Sequence, residues 1–84
     1  MHTVKVSARL FAQLRDVAGS ETVDLNLPDG AIISDLLEQL YAKFPALGAH
    51  DKTILVGVGV EFVDRNYQIR PGDEVAIMPP VQGG

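Results

Sequence analysis

From Thr3 to Phe11 the chain alternates: Val4, Val6, Ala8 and Leu10 fall in one phase, and Thr3, Lys5, Ser7, Arg9 and Phe11 in the other. Successive strand side chains point to opposite faces, so this alternation predicts a strand with one buried face. Its exposed phase ends in a phenylalanine. Ala12 to Ala18 reads as a short helical turn that Gly19 closes. Thr22 to Leu27 alternates again, with Val23, Leu25 and Leu27 inward, before the turn Pro28-Asp29-Gly30. The period then becomes helical: Ile33, Leu36, Leu37, Leu40, Tyr41 and Phe44 line one broad stripe. Ser34 or a neighbouring residue is placed to cap that helix, and Pro45 to stop it. Thr53 to Val63 is rich in β-branched residues and predicts a hairpin, with Gly59 supplying a positive φ and Val60 an awkward second turn residue. Asp64 to Arg70 reads as a loop or short strand. Pro71-Gly72-Asp73 turns the chain into a last strand, with Val75, Ile77 and Pro79 in one phase and Glu74, Ala76 and Met78 in the other.

These elements predict an α+β fold, a mixed sheet of four to five strands with one main helix laid across one face to bury the stripes. The first and last strands can lie side by side in parallel at the centre, as in a β-grasp sheet. That arrangement places outward Phe11 near outward Met78, and two large apolar groups on a solvent face invite a partner. The 84 residues make one domain. Its expected body is 1–79, followed by an extended tail, 80–84, because Pro79 and Pro80 fix φ near −65° and stiffen the exit.

The net charge is −4 and the 7 Lys and Arg residues are scattered, which argues against nucleic acid as a partner and favours a basic protein surface. With no cysteine, neither a disulfide framework nor a thiolate site is available. The N-terminus lacks an apolar leader and no stretch reaches membrane-spanning length, so a cytoplasmic protein with no membrane partner is expected. His2 and His50 have no spaced partners for a metal or triad site. Gly57-x-Gly59 lacks the third glycine and the helix of a dinucleotide motif, and Asp73-Glu74 reads as a solvated turn. Neither a metal nor a bound cofactor is implied. The unusual chemical group is the end, Gly83-Gly84 after Met78-Pro79-Pro80-Val81, which holds a carboxylate on a slim tether without side chains.

Leu10-Phe11-Ala12-Gln13-Leu14-Arg15-Asp16-Val17-Ala18-Gly19 resembles the opening signature of the small subunit of molybdopterin synthase, the MoaD-type sulfur carriers of the ubiquitin-like MoaD/ThiS family. Pro71 to Gly84 resembles their closing signature nearly position by position. The likeness spans the whole chain, and the double proline is its specific part, since related thiamin carriers share the fold and the diglycine but usually lack it. Two departures concern local geometry: Gly59-Val60 stands where the family's hairpin usually reads Asn-Gly, and Ile32 where a helix-starting Thr or Ser is common.

The resemblance implies a ubiquitin-like β-grasp fold and a sulfur-transfer chemistry at Gly84, with Gly83 part of the tether. An E1-like activating enzyme would use ATP to adenylate the Gly84 carboxylate, and a persulfide donor would convert it to a thiocarboxylate. Assembled with the large synthase subunit in a heterotetramer, the tail would then sulfurate precursor Z to give molybdopterin. By position, Phe11, Arg15, Phe62 and Met78, with the stem Pro79, Pro80 and Val81, are implied partner contacts. Two other roles remain open: a sulfur carrier for thiamin or thionucleoside synthesis, and a protein modifier joined through Gly84 to lysines.

Overall fold

The computed structural model describes residues 3–80. The opening alternation forms β1 (Thr3–Leu10) and the second alternating run forms β2 (Thr22–Pro28). They pair antiparallel with Val4 opposite Leu27, Val6 opposite Leu25 and Ala8 opposite Val23, so the inward phases of both strands fall on one face. Val4, at the strand's start, is only half-buried. Between the two strands α1 (Gln13–Ala18) buries Leu14 and ends at Gly19, whose φ of 72° is a left-handed cap.

The helical stripe forms α2 (Ile33–Lys43), burying Ile33, Leu36, Leu37 and Leu40 against the sheet while Tyr41 and Phe44 pack partly buried at its edge. Each fully buried Leu or Ile contributes about 1.5–3 kcal/mol of apolar burial. Of the cap expected from Ser34 or a neighbour, the structure corrects Ser34 and keeps a neighbour, Asp35. The N-cap residue is Ile32, which carries no side-chain acceptor; its own N–H donates to Asp35 Oδ2 at 3.0 Å. The next N–H groups are satisfied from across the fold, Ile33 donating to the Tyr67 carbonyl and Ser34 to the Arg65 carbonyl, both at 3.0 Å. A helix start capped by tertiary carbonyls needs no hydroxyl at its N-cap, which accounts for Ile32 at a position where Ser or Thr is common.

The helix stops at Phe44, whose φ of −131° and ψ of 80° are the extended geometry forced on the residue before Pro45. Unexpectedly from sequence, the chain then resumes as α3 (Pro45–Gly48), a single turn that buries Leu47. The hairpin follows as β3 (Leu55–Val58) and β4 (Glu61–Val63), with Val58 opposite Glu61. Its two-residue loop puts Gly59 at φ 63°, whereas Val60 is not among the residues with positive φ. That is the pattern of a type II′ turn, where only the first central residue needs glycine's freedom, so Val60 is accommodated without strain.

β5 (Glu74–Met78) lies between β1, to which it is parallel, and β3, to which it is antiparallel, giving the order β2-β1-β5-β3-β4. This five-stranded mixed sheet with α2 on one face is the ubiquitin-like β-grasp arrangement expected. Asp64 to Arg70 is a loop with one bridge, Ile32 to Gln68, and it contributes buried Ile69 to the core. A polar latch ties that loop to α2 and to the segment after α3: Tyr41 Oη and Arg65 Nη1 both donate to Asp51 Oδ1 at 2.7 Å. Residues 81–84 of the predicted tail lie outside the described residues.

Candidate functional site

The sheet face opposite α2 is divided. Over β1 and β2 it is polar: Lys5 Nζ lies 3.7 Å from Asp24, Ser7 Oγ donates to Asp24 at 2.9 Å, and Arg9 Nη2 lies 3.1 Å from Glu21. Exposed pairs of this kind stabilise by at most about 1 kcal/mol each. Over β5, β3 and β4 the face holds a concavity of about 260 Å3 bounded by the apolar side chains of Phe11, Met78 and Phe62, with Glu61 also in its lining. Phe62 is 67% exposed and Phe11 37%, which is unusual company for two aromatic rings on one sheet face.

Register explains the concavity. Gly57 pairs with Phe62 on one side and Ala76 on the other, so the floor carries one methyl and one bare backbone. A Cβ at residue 57 would meet Met78 Cε at 3.3 Å and the Glu61 carbonyl at 3.4 Å. Phe11 stands one residue beyond β1, not within it. Leu10 is opposite Ile77 and the Phe11 N–H donates to the Ile77 carbonyl at 3.1 Å, so the next step brings Phe11 beside Met78. The Arg9 guanidinium sits 5.5 Å from the centre of the Phe11 ring, a cation–π contact that holds the ring at the boundary between the polar and apolar halves.

Of the residues singled out from sequence, Phe11, Phe62 and Met78 are therefore brought together. Arg15 is exposed on α1 and is not part of the concavity's lining. Pro79 and Pro80 are half-buried where β5 ends, and with Ala12 and Gln13 they line a second concavity of about 280 Å3. Val81, Gly83 and Gly84 lie outside the described residues, as does His2. His50 is half-buried and its N–H donates to the Leu47 carbonyl at 3.0 Å, a structural turn. Asp73 is likewise a turn residue, accepting from the Arg70 N–H at 2.9 Å and Tyr67 Oη at 3.0 Å.

Sequence reading missed Gly57 and Ala76 as the floor and Arg9 as the support of Phe11. The available signals were a glycine within a strand, which often marks a close approach, and an arginine two residues before Phe11 in the same phase. A further concavity lies beside the latch, and the Tyr41, Asp51 and Arg65 side chains in its lining bond to one another. Among the described residues no cluster of His, Cys, Asp or Glu could hold a metal ion, and no helix is long and apolar enough to cross a membrane.

The sequence profile described as the ThiS family matches residues 8–84. The chain belongs to the ThiS family. Among its relatives, a molybdopterin synthase sulfur carrier subunit of Chlamydomonas reinhardtii is 39% identical over 83 residues, which cover 96% of this chain and 100% of that protein. The protein of the same description from Arabidopsis thaliana is 29% identical over 82 residues, covering 98% and 85%. The crystal structure of small archaeal modifier protein 1 from Haloferax volcanii superposes with a TM-score of 0.82 at 31% identity, covering 93% of this chain and 99% of that one. ThiS-family membership and the sheet topology agree, and the signatures at Leu10–Gly19 and Pro71–Gly84 both lie within the matched residues.

Proposed function

We propose that this ThiS-family chain is the sulfur-carrying small subunit of a molybdopterin synthase, working in the cytoplasm with Gly84 as its reacting residue. The observation that carries the reading is the position of the Pro79–Pro80 stem. It continues the central strand β5 directly beside the apolar concavity of Phe11, Phe62 and Met78, so a partner that docks on the concavity is in place to receive the tail. The 39% identity to a sulfur carrier subunit supports the pathway.

The chemistry needs a terminal carboxylate that an enzyme can close around. An E1-like partner would transfer AMP from ATP to the Gly84 carboxylate, releasing pyrophosphate. A persulfide sulfur then displaces AMP, and a thiol cleaves the resulting acyl disulfide to leave the thiocarboxylate. That sulfur passes to precursor Z in the active site of the large subunit. ATP binds the activating partner, and this chain holds no cofactor of its own. Two glycines without Cβ suit both enclosures, while the prolines lower the ordering cost of the arm before it binds.

Intact-mass measurement tests the reading. With activating enzyme, ATP and persulfide donor, the chain should gain the difference between sulfur and oxygen, located at Gly84, and the product should convert precursor Z with the large subunit. Full transfer by a chain extended beyond Gly84 would refute it. A second reading, a protein modifier, is favoured by the likeness to small archaeal modifier protein 1; recovery of lysine-linked conjugates would select it.

A further inference from the structure

Phe11 to Leu14 is a tight turn in which the Leu14 N–H donates to the Phe11 carbonyl at 3.1 Å. Its first central residue is Ala12, at φ 52° and ψ −132°. Ala12 is the one non-glycine residue with positive φ among the described residues. These angles belong to the first central position of a type II′ turn, where glycine is preferred because a Cβ crowds the neighbouring carbonyl. An alanine held there is strained.

The turn answers a gap in the neighbouring strand. In a parallel ladder a residue donates its N–H to one carbonyl and offers its own carbonyl to the N–H two residues further along. Phe11 donates to Ile77, so its carbonyl should meet the N–H of residue 79, which is Pro79 and has none. The Leu14 N–H takes that place, through a turn whose first central residue, Ala12, has positive φ. The same Ala12 then lines, with Gln13, Pro79 and Pro80, the concavity at the root of the tail. Glycine would make this turn without strain but would leave no methyl at that wall.

We propose that Ala12 is a positioning residue for the carboxyl-terminal stem: the strained turn sets its methyl against the Pro79–Pro80 cleft and fixes the direction in which the tail leaves the sheet. The role in transfer rests on the carrier reading given above. Ala12 touches no reacting atom and acts through the two prolines.

The test compares Ala12→Gly and Ala12→Ser in the full chain. Glycine removes the strain while loosening the unfolded chain, so the thermal midpoint of Ala12→Gly should equal or exceed that of wild type. In the free protein, nuclear Overhauser contacts between residue 12 and the Pro79 and Pro80 rings should vanish, and carbon relaxation should show both prolines more mobile. The KM for adenylation should rise about five- to thirtyfold with kcat unchanged, the order expected for re-ordering one freed residue. Ala12→Ser keeps a Cβ and should restore both proline order and KM. Unchanged proline order and KM in Ala12→Gly, or a lower midpoint, would overturn the proposal. The relaxation measurement needs only the free chain, so it decides the role of Ala12 even where the wild-type protein itself proves not to be adenylated.

Discussion

The terminal methyl of Met78 lies over the bare backbone of Gly57, at 3.3 Å from where a Cβ would stand. Glycine in a strand costs about 0.5–1 kcal/mol relative to alanine, and the space it leaves is the floor of the apolar concavity. In Gly57→Ala the flexible end of Met78 can yield by a few tenths of an ångström, so chemical denaturation should show stability unchanged or raised by up to about 1 kcal/mol. Gly57→Leu should fill the floor and weaken binding to the large synthase subunit by about 1–3 kcal/mol in calorimetric titration. Wild-type affinity in Gly57→Leu would mean that the concavity is not an interface.

Phe62 is 67% exposed and supports little of the fold. Phe62→Ala should leave the thermal midpoint nearly unchanged and cost about 1–3 kcal/mol of partner binding. Phe11→Ala should cost a similar amount of binding and somewhat more stability, because the Arg9 contact is lost with it. A double-mutant cycle between Arg9 and Phe11 should return a coupling of about 0.5–1 kcal/mol. Loss of folding without loss of binding would assign these rings to structure.

The latch at Asp51 gives the stability a pH dependence. Hydrogen bonds from Tyr41 and then Arg65 hold the Asp51 carboxyl below its ordinary pKa. A depressed folded-state value contributes stability that is complete above the unfolded value, about 3.9, and is lost as pH falls through the folded one. Asp51→Asn should therefore lower the midpoint at neutral pH, and the gap from wild type should close as pH drops below about 4. The carboxylate side chain is 41% exposed, so screening keeps the effect within about 1 kcal/mol. Tyr41 behaves inversely: burial first, and then the bond to Asp51, raise its hydroxyl, so its contribution persists until pH rises past the ordinary tyrosine value, about 10. In a Tyr67→Phe background, tyrosinate absorbance should report a midpoint above that value. A gap that stays constant down to pH 2 would show that the Asp51 charge adds nothing beyond accepting the bonds.

Replacing both Pro79 and Pro80 by Gly should weaken association with the large subunit by about 1–2 kcal/mol, since each proline restricts the free arm. Adenylation at Gly84 should persist with kcat unchanged, because the carboxylate is unchanged, while its KM rises as it does in Ala12→Gly. Surface plasmon resonance and a pyrophosphate-release assay separate the two effects. A fall in kcat for adenylation would mean that the stem takes part in activation beyond presenting the carboxylate.

The strands and α2 were legible because periodicity reports burial directly: the phases of Val6, Leu25, Val75 and Ile77 and the stripe from Ile33 to Leu40 all face the core. The approach of Phe11 to Met78 was legible as well, since it follows from parallel pairing of β1 with β5. What escaped the sequence lies in contacts between distant segments. The cap on α2 comes from the carbonyls of Arg65 and Tyr67, and no local pattern marks a carbonyl supplied by a loop thirty-odd positions away. Ile69 is buried from within a loop, where no period exists to flag it. The turn at Ala12 fills the place of an N–H that Pro79, just beyond β5, lacks, and an alanine in isolation signals nothing. Val60 looked misplaced only under the assumption of a turn with two positive φ angles.

The parallel pairing of β1 with β5 also has a mechanical consequence. The described chain starts at one end of β1 and leaves at the opposite end of β5, so a pull between Thr3 and Pro80 would load their shared hydrogen bonds in shear, several at once, instead of unzipping them one by one. Forced unfolding is governed by the barrier to that first rupture. Under the proposed carrier role, a tail drawn into a partner's active site would be pulled along the direction in which the sheet resists most.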